Sequence, residues 1–161
     1  MLRGPGGVRR IFDVEKITGV TYKIREVDAT DDDITDHLRD LHKLTFFGEA
    51  PIPNFETGHW WIGYRDDEPI SFASLIPSDR YPRAGYFKRV GVLPSHRGHG
   101  LQLRHMRAIE GRARRNGWIK IVSDTTDNPY SANNFISAGY WILSPQFPWA
   151  FPNSIYWSKE L

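Results

Sequence analysis

The stretch GYFKRVGVLPSHRGHGLQ, residues 85–102, decides how this chain folds. Residues 85–92 read as a strand that runs into a loop carrying Gly98 and Gly100 and then directly into a helix. Glycines let a backbone approach an anion closely, and the unpaired N–H groups and positive dipole of a helix N-terminus point at it. Arg97 adds a cation. The order strand, glycine loop, helix is therefore a geometry suited to phosphate, although Gly98 and Gly100 could also form nothing more than a turn leading into the helix.

Two familiar phosphate loops do not match. A dinucleotide fingerprint needs a third glycine where Leu103 stands, and nearly a hundred residues precede the stretch without an opening βαβ unit. A Walker loop needs G-x-x-x-x-G-K-[ST], which occurs nowhere in the chain.

On either side the periodicities supply the rest of the fold. From Thr21, Tyr22, Ile24 and Val27 alternate with Lys23, Arg25 and Glu26 as in a strand, and Asp31, Asp32 and Asp33 then offer an N-cap and dipole-matching acids. Ile34, Leu38, Leu41 and Leu44 predict a helix with one apolar stripe. Residues 48–58, with Pro51 and Pro53, read as a loop. Residues 59–64 and 69–75 read as strands joined by a hairpin turn at Arg65, Asp66, Asp67 and Glu68, and residues 85–92 complete a meander.

After Pro94 the period lengthens, because Leu103, Met106, Ile109 and Ala113 share one helical face, and Gly117 ends that helix. A short strand at 119–123, a short helix at 131–138, and strands at 140–143 and 154–158 around a Pro-rich loop follow. No repeat or linker interrupts this order, so one mixed α/β domain is expected.

Composition narrows the function. With 161 residues the chain suits one domain, and 40% hydrophobic and 25% charged residues match an ordinary globular protein. No apolar run is long enough for a spanning helix, and residues 1–7 lack the apolar region of a secretory signal, so no membrane role and a cytoplasmic location are expected. The absence of cysteine removes disulfides, thiolate nucleophiles and Cys-based metal sites. Six histidines stand in no metal-ligand spacing, and no G-x-S-x-G elbow supports a hydrolase triad. A net charge of +2 fits an anionic ligand without demanding one.

Val90, Gly91 and Val92, then Pro94, Arg97, Gly98, His99, Gly100 and Leu101, resemble the pyrophosphate motif R/Q-x-x-G-x-G/A of the GNAT superfamily of acyl-coenzyme A dependent N-acetyltransferases. Gln102 departs from its last position. A second block, Asn128, Ser131, Phe135, Gly139 and Tyr140, stands at the spacing of the family's N-x-x-[AS]-x-x-x-Y-x-x-x-G-[FY]. The resemblance covers roughly residues 21–161 and implies a single α/β domain there, with a central twisted mixed α+β sheet flanked by helices, preceded by an arm at residues 1–20.

It also implies an acetyl-coenzyme A dependent transfer to an amine of a small molecule or protein. The backbone of Val90 and Val92 would pair with the pantetheine arm where two parallel strands diverge. The N–H groups from Arg97 through Gly98, His99, Gly100, Leu101 and Gln102 would hold the pyrophosphate. Asn128, Ser131 and Phe135 would face the cofactor from the neighbouring strand end and helix.

Acylation of an amine needs that amine deprotonated and, often, a proton delivered to the departing thiolate. Many relatives use a tyrosine for the second task where this chain has Phe135, which has no proton to give; Tyr130 is the nearest substitute. The glutamate that relatives commonly carry on the third meander strand is replaced by Lys88 and Arg89. Glu49, Glu56 and Asp124 are the alternative acids, each of which could equally be a solvated carboxylate.

Phe46, Phe47, Trp60, Trp61, Phe147, Trp149 and Phe151 form either core or the wall of an apolar acceptor pocket, because in relatives the loops carrying them flank the acceptor. Arg104, Arg107, Arg112, Arg114 and Arg115 crowd the second helix, too few for a nucleic-acid patch. Two rival functions stand beside the transferase: a coenzyme A binding module with little or no activity, and a GNAT-like nucleic-acid-modifying protein. Many relatives dimerise, so the resemblance allows a homodimer.

Overall fold

Alternating side chains make Tyr22–Val27 the first strand, β1, and three aspartates then start the first helix. Asp31 Oδ1 accepts from the N–H groups of Asp33 (2.9 Å) and Ile34 (3.2 Å), so it is the N-cap of α1, Asp32–Phe46. The computed structural model describes residues 21–46 and 50–161. The arm expected at residues 1–20, together with Phe47 and Glu49, lies outside the described residues.

The remaining elements follow in the expected order. They are β2 (His59–Arg65), β3 (Glu68–Pro77), β4 (Ala84–Val92), a 3₁₀ turn (Pro94–His96), α2 (Leu101–Arg115), β5 (Lys120–Thr125), α3 (Pro129–Ser137), β6 (Trp141–Leu143) and β7 (Ile155–Glu160). Asp66 and Asp67 alone connect β2 to β3, Asp66 taking a positive φ of 52°. Gly117, at φ 73°, closes α2, as its place in the sequence predicts.

Among the described residues seven strands form one mixed sheet in the order β1-β2-β3-β4-β5-β7-β6. β4 and β5 run parallel and the other neighbours antiparallel. Trp60, Ile62 and Phe72 turn to one face and pack with Leu38 and Leu41 of α1. Trp61, Ala73, Leu75, Phe87, Ile121 and Trp157 turn to the other and pack with Met106, Ile109 and Ala113 of α2 and Phe135 of α3. The period-two alternation in β2 and β3 thus feeds two cores, with α1 on one side and α2 and α3 on the other.

One expected core residue is corrected: Leu44 is 54% exposed. At 100° per residue the buried Leu38, Leu41 and His42 set the inward face, and Leu44 falls roughly 110° from its centre. Helix α3 begins two residues earlier than expected because Pro129, already held at a helical φ, sits at its first position behind the Asn128 cap.

Candidate active site

Strands β4 and β5 pair only at Ala84↔Lys120, Gly85↔Ile121 and Tyr86↔Val122. Beyond Tyr86 they part, although β4 continues to Val92 against β3 and β5 continues to Thr125 against β7. Ser123 Oγ donates to Phe87 O (2.6 Å) at the point of divergence. Leu93 N–H donates to Ile70 O on β3 (2.9 Å), so by strand alternation the polar groups of Val92 and Val90 point the opposite way, into the gap. Two strand edges with unpaired backbone groups therefore face each other across a V.

A cleft of about 220 Å³ fills this V and runs between the two faces of the sheet. Asn128, Ser131 and Phe135 line it on the α3 side, Ser123, Thr125 and Thr126 along β5 and the loop after it, and Phe46, Lys88, Arg89 and Asp124 on the α1 side. Gly91 allows α1 to come close here: a Cβ on it would lie 2.4 Å from Thr45 Oγ1 and 2.6 Å from the Phe72 ring.

The glycine loop adjoins the end of β4. Gly98 takes φ 84°, and Gly100, the N-cap of α2, takes φ 69° and ψ 22°, with no side chain capping the helix. The first backbone bond of α2 is Arg104 N–H to Gly100 O (3.1 Å), which leaves the N–H groups of Leu101, Gln102 and Leu103 without a backbone acceptor. A Cβ at Gly98 or Gly100 would meet nothing within 4 Å, so open space lies beside both glycines at the start of α2. Arg97 and His99 are exposed beside it, and Arg97 forms no ion pair among the described residues. β1 steadies the loop: Tyr22 Oη hydrogen-bonds His96 Nδ1 (3.0 Å), its ring lies 5.2 Å from that of His99, and Arg104 donates to Tyr22 O (2.9 Å).

Gln102, the departure from the motif, has a structural task. Its Nε2 donates to Ser131 Oγ (2.8 Å) and its Oε1 accepts from Asn134 Nδ2 (3.0 Å), tying α2 to α3. Leu101 is buried beneath the loop. Asn128 Oδ1 caps α3 by accepting from Ser131 N–H (3.0 Å), and its Nδ2 makes no hydrogen bond among the described residues. Phe135 is 1% exposed, stacked on Trp157 at 5.4 Å and edge-on to Tyr140 at 5.0 Å; it is at once core and cleft wall.

Of the described residues expected to move protons, Asp124 alone lines this cleft. Its Oδ2 accepts from Tyr86 Oη (2.5 Å) and Trp149 Nε1 (2.9 Å), while its Oδ1 has no hydrogen bond among the described residues. Burial, and then the bond to Asp124, raise the Tyr86 phenol well above its ordinary range, so it stays a donor. Tyr130 is 83% exposed on the first turn of α3, outside the cleft lining. Glu56 is exposed and lines a separate hollow with Glu26, Asp28, His59 and Arg112.

The aromatic clusters divide between the two alternatives. Trp60 and Trp61 are core, Phe46 lines the cleft, Trp149 holds Asp124, and Phe147 and Phe151 are exposed on the β6–β7 loop.

The sequence reading did not foresee the group around Arg89. A β-bulge interrupts the β3–β4 register: Ser74 faces Arg89 and Leu75 faces Phe87, leaving Lys88 as the extra residue. Consequently Phe87 and Val90, three apart, both pack on the α2 side, while Arg89 turns to α1. There its guanidinium donates to His42 Nε2 and lies 5.5 Å from the Phe46 ring centroid. His42 is buried and stacked on Phe46, and burial together with Arg89 pushes its pKa down to about 4, so it is neutral and able to accept. A bulge depends on the register between two strands, and residues 85–92 taken singly carry no sign of it.

Among the described residues no helix is long and apolar enough to cross a membrane, and no group of three or more His, Asp or Glu residues is placed to hold a metal ion.

Comparison with known proteins accords with this geometry. An aminoglycoside 6'-acetyltransferase type Ii superposes with a TM-score of 0.70 at 22% identity, over 86% of this chain and 96% of its own. The IAA acetyltransferase of Bacillus cereus gives 0.69 at 16% identity over 88% and 100%, and a chain of the NatC complex bound to Gag peptide and CoA gives 0.69 at 14% over 87% and 98%. At such identities the likeness is one of fold. No curated protein matches the chain by sequence. The sequence profile of the acetyltransferase (GNAT) family matches residues 22–140, which span both motif blocks and the diverging strands, and the chain belongs to that family.

Proposed function

We propose that this protein is an N-acetyltransferase that moves an acetyl group from acetyl-coenzyme A to an amine. The observation that carries the reading is the parting of β4 from β5 directly before a glycine loop and an uncapped helix N-terminus. An extended thioester arm fits a gap whose edges present unpaired backbone groups at Val90 and Val92, and a pyrophosphate fits the free amides of Leu101 and Gln102 beside Arg97, Gly98, His99 and Gly100. The NatC complex, one chain of which has the same fold, is bound to CoA, which supports the donor class.

In the reaction the amine nitrogen attacks the thioester carbonyl, a C–N bond forms, the C–S bond breaks, and the thiolate takes up a proton. Unpaired strand N–H groups in the gap are the available donors to the developing oxyanion. Asp124, which lines the cleft, is the proton acceptor or ammonium holder: Tyr86 and Trp149 fix one carboxylate oxygen and leave the other without a hydrogen bond among the described residues. Phe135 cannot protonate the leaving sulfur, so that proton comes from solvent or from the hydroxyls of Ser131 and Thr125, which line the cleft.

The same Phe135 favours a second reading, a coenzyme A binding module without turnover. Release of free thiol from acetyl-coenzyme A, followed with and without a panel of amines, separates the two. Amine-dependent release is the expected result; binding of acetyl-coenzyme A with no release on any amine contradicts the transferase.

A further inference from the structure

Lys88 and Arg89 stand where an amine acceptor needs no cation, yet the bulge turns Arg89 toward the α1 side of the cleft and both residues line it. Arg89 is half-buried, and neither it nor Lys88 has a carboxylate partner among the described residues. Among the described residues its one side-chain hydrogen bond is to His42, a neutral group. A guanidinium partly removed from water without a counter-charge is costly to keep, and it offers five N–H donors in a planar fork that matches a carboxylate. On the opposite strand Asp124 has a carboxylate oxygen with no hydrogen bond among the described residues, and Phe46, the last residue of α1, lines the cleft with Arg89 over its ring.

We infer that the acceptor is a small zwitterion, an amine that also carries a carboxylate: Arg89, with Lys88, takes the carboxylate from the β4 wall, and Asp124 takes the ammonium from the β5 wall. The inference rests on the acyl-transfer reading and adds the substrate class. The cation and the anion stand on different strands, so the splay that admits the thioester also separates the two charges that would otherwise pair with each other. The acceptor's dipole then fixes which of its ends meets the carbonyl.

The test uses the whole chain, acetyl-coenzyme A at saturation, and matched acceptors: α-, β- and γ-amino acids, their amides, and the corresponding amines lacking the carboxyl group. Thiol release gives kcat/KM for each. One of the amino acids should exceed its own amide and its own amine by about 10- to 100-fold, the range for a charged hydrogen-bonded contact. In Arg89→Met that preference should collapse to within a few-fold, and Arg89→Lys, which keeps the charge and loses the fork, should fall between.

Amides and plain amines served as well as the amino acids would overturn the inference and leave acyl transfer intact. A preference for succinyl-coenzyme A over acetyl-coenzyme A on plain amines would also overturn it, since the anion would then belong to the acyl group. Should Arg89→Met fail to fold, the ratio in the unmodified protein still decides. No thiol release with any acceptor contradicts the transfer reading, and the inference falls with it.

Discussion

At Gly100 the backbone sits at φ 69° and ψ 22°, a conformation that costs an ordinary residue about 1–2 kcal/mol. The surroundings impose no such cost, since a Cβ there meets open space. Gly100→Val is therefore expected to fold with a loss of stability of at least about 1–2 kcal/mol from the backbone alone and to lose at least about tenfold in affinity for acetyl-coenzyme A, because the side chain fills space beside the free amides. Calorimetric titration measures this, and an unchanged affinity would remove the loop from the site. Phe135 behaves differently. It is stacked between Trp157, Tyr140 and Phe87, so Phe135→Ala should cost about 3–5 kcal/mol in denaturant unfolding. A loss below 1 kcal/mol would mean the ring is not the core element described. Both residues were legible in the chain, the glycine from its spacing and the phenylalanine as a missing hydroxyl. Arg89 was legible only as a basic residue in the place of an acid, because the direction of its side chain is set by the partner strand.

Among the elements, the two helices after the glycine loop are joined through Gln102, which bonds Ser131 and Asn134. Gln102→Gly would restore the family's last motif position and still destabilise, since it strands Asn134 and removes a donor from Ser131. A loss of about 1–3 kcal/mol is expected from urea unfolding, and stabilisation would contradict the latch. Helices α1 and α2 and the strands of the meander were readable because their periods of 3.6 and 2 are local properties of sequence. Leu44 misled because a four-residue stripe left room for His42 to take the inward position. The bulge at Lys88 and the early parting of β4 from β5 were not readable from the residues themselves. The resemblance alone suggested the second, and the register of neighbouring strands, settled at long range, produces both.

Over the whole molecule two buried histidines tie stability to pH. Burial first, with Arg89 and Arg104 adding to it, lowers His42 to about 4 and His105 to about 3 from an ordinary 6.5. The unfolded chain therefore binds protons at these sites that the folded chain refuses. Their contribution is intact above about pH 6.5 and is lost as the pH falls toward 4 for His42 and 3 for His105. Denaturant midpoints should thus be level from pH 8 to 7 and decline by pH 5, before most carboxylates titrate; a midpoint unchanged down to about pH 4.5 would contradict this.

The proposed acyl transfer makes a single demand on the V at the centre of the sheet and the glycine loop beyond the end of β4: the folded chain should bind acetyl-coenzyme A. The thermal midpoint with and without that thioester tests it most directly. At about 100 times the dissociation constant the ligand adds roughly 2.7 kcal/mol, which for a domain of this size raises the midpoint by about 5–10 °C. A rise of that order, reduced in Gly100→Val, is the predicted result. No rise at millimolar acetyl-coenzyme A would contradict the assignment of the cleft and, with it, the acyl transfer proposed for this protein.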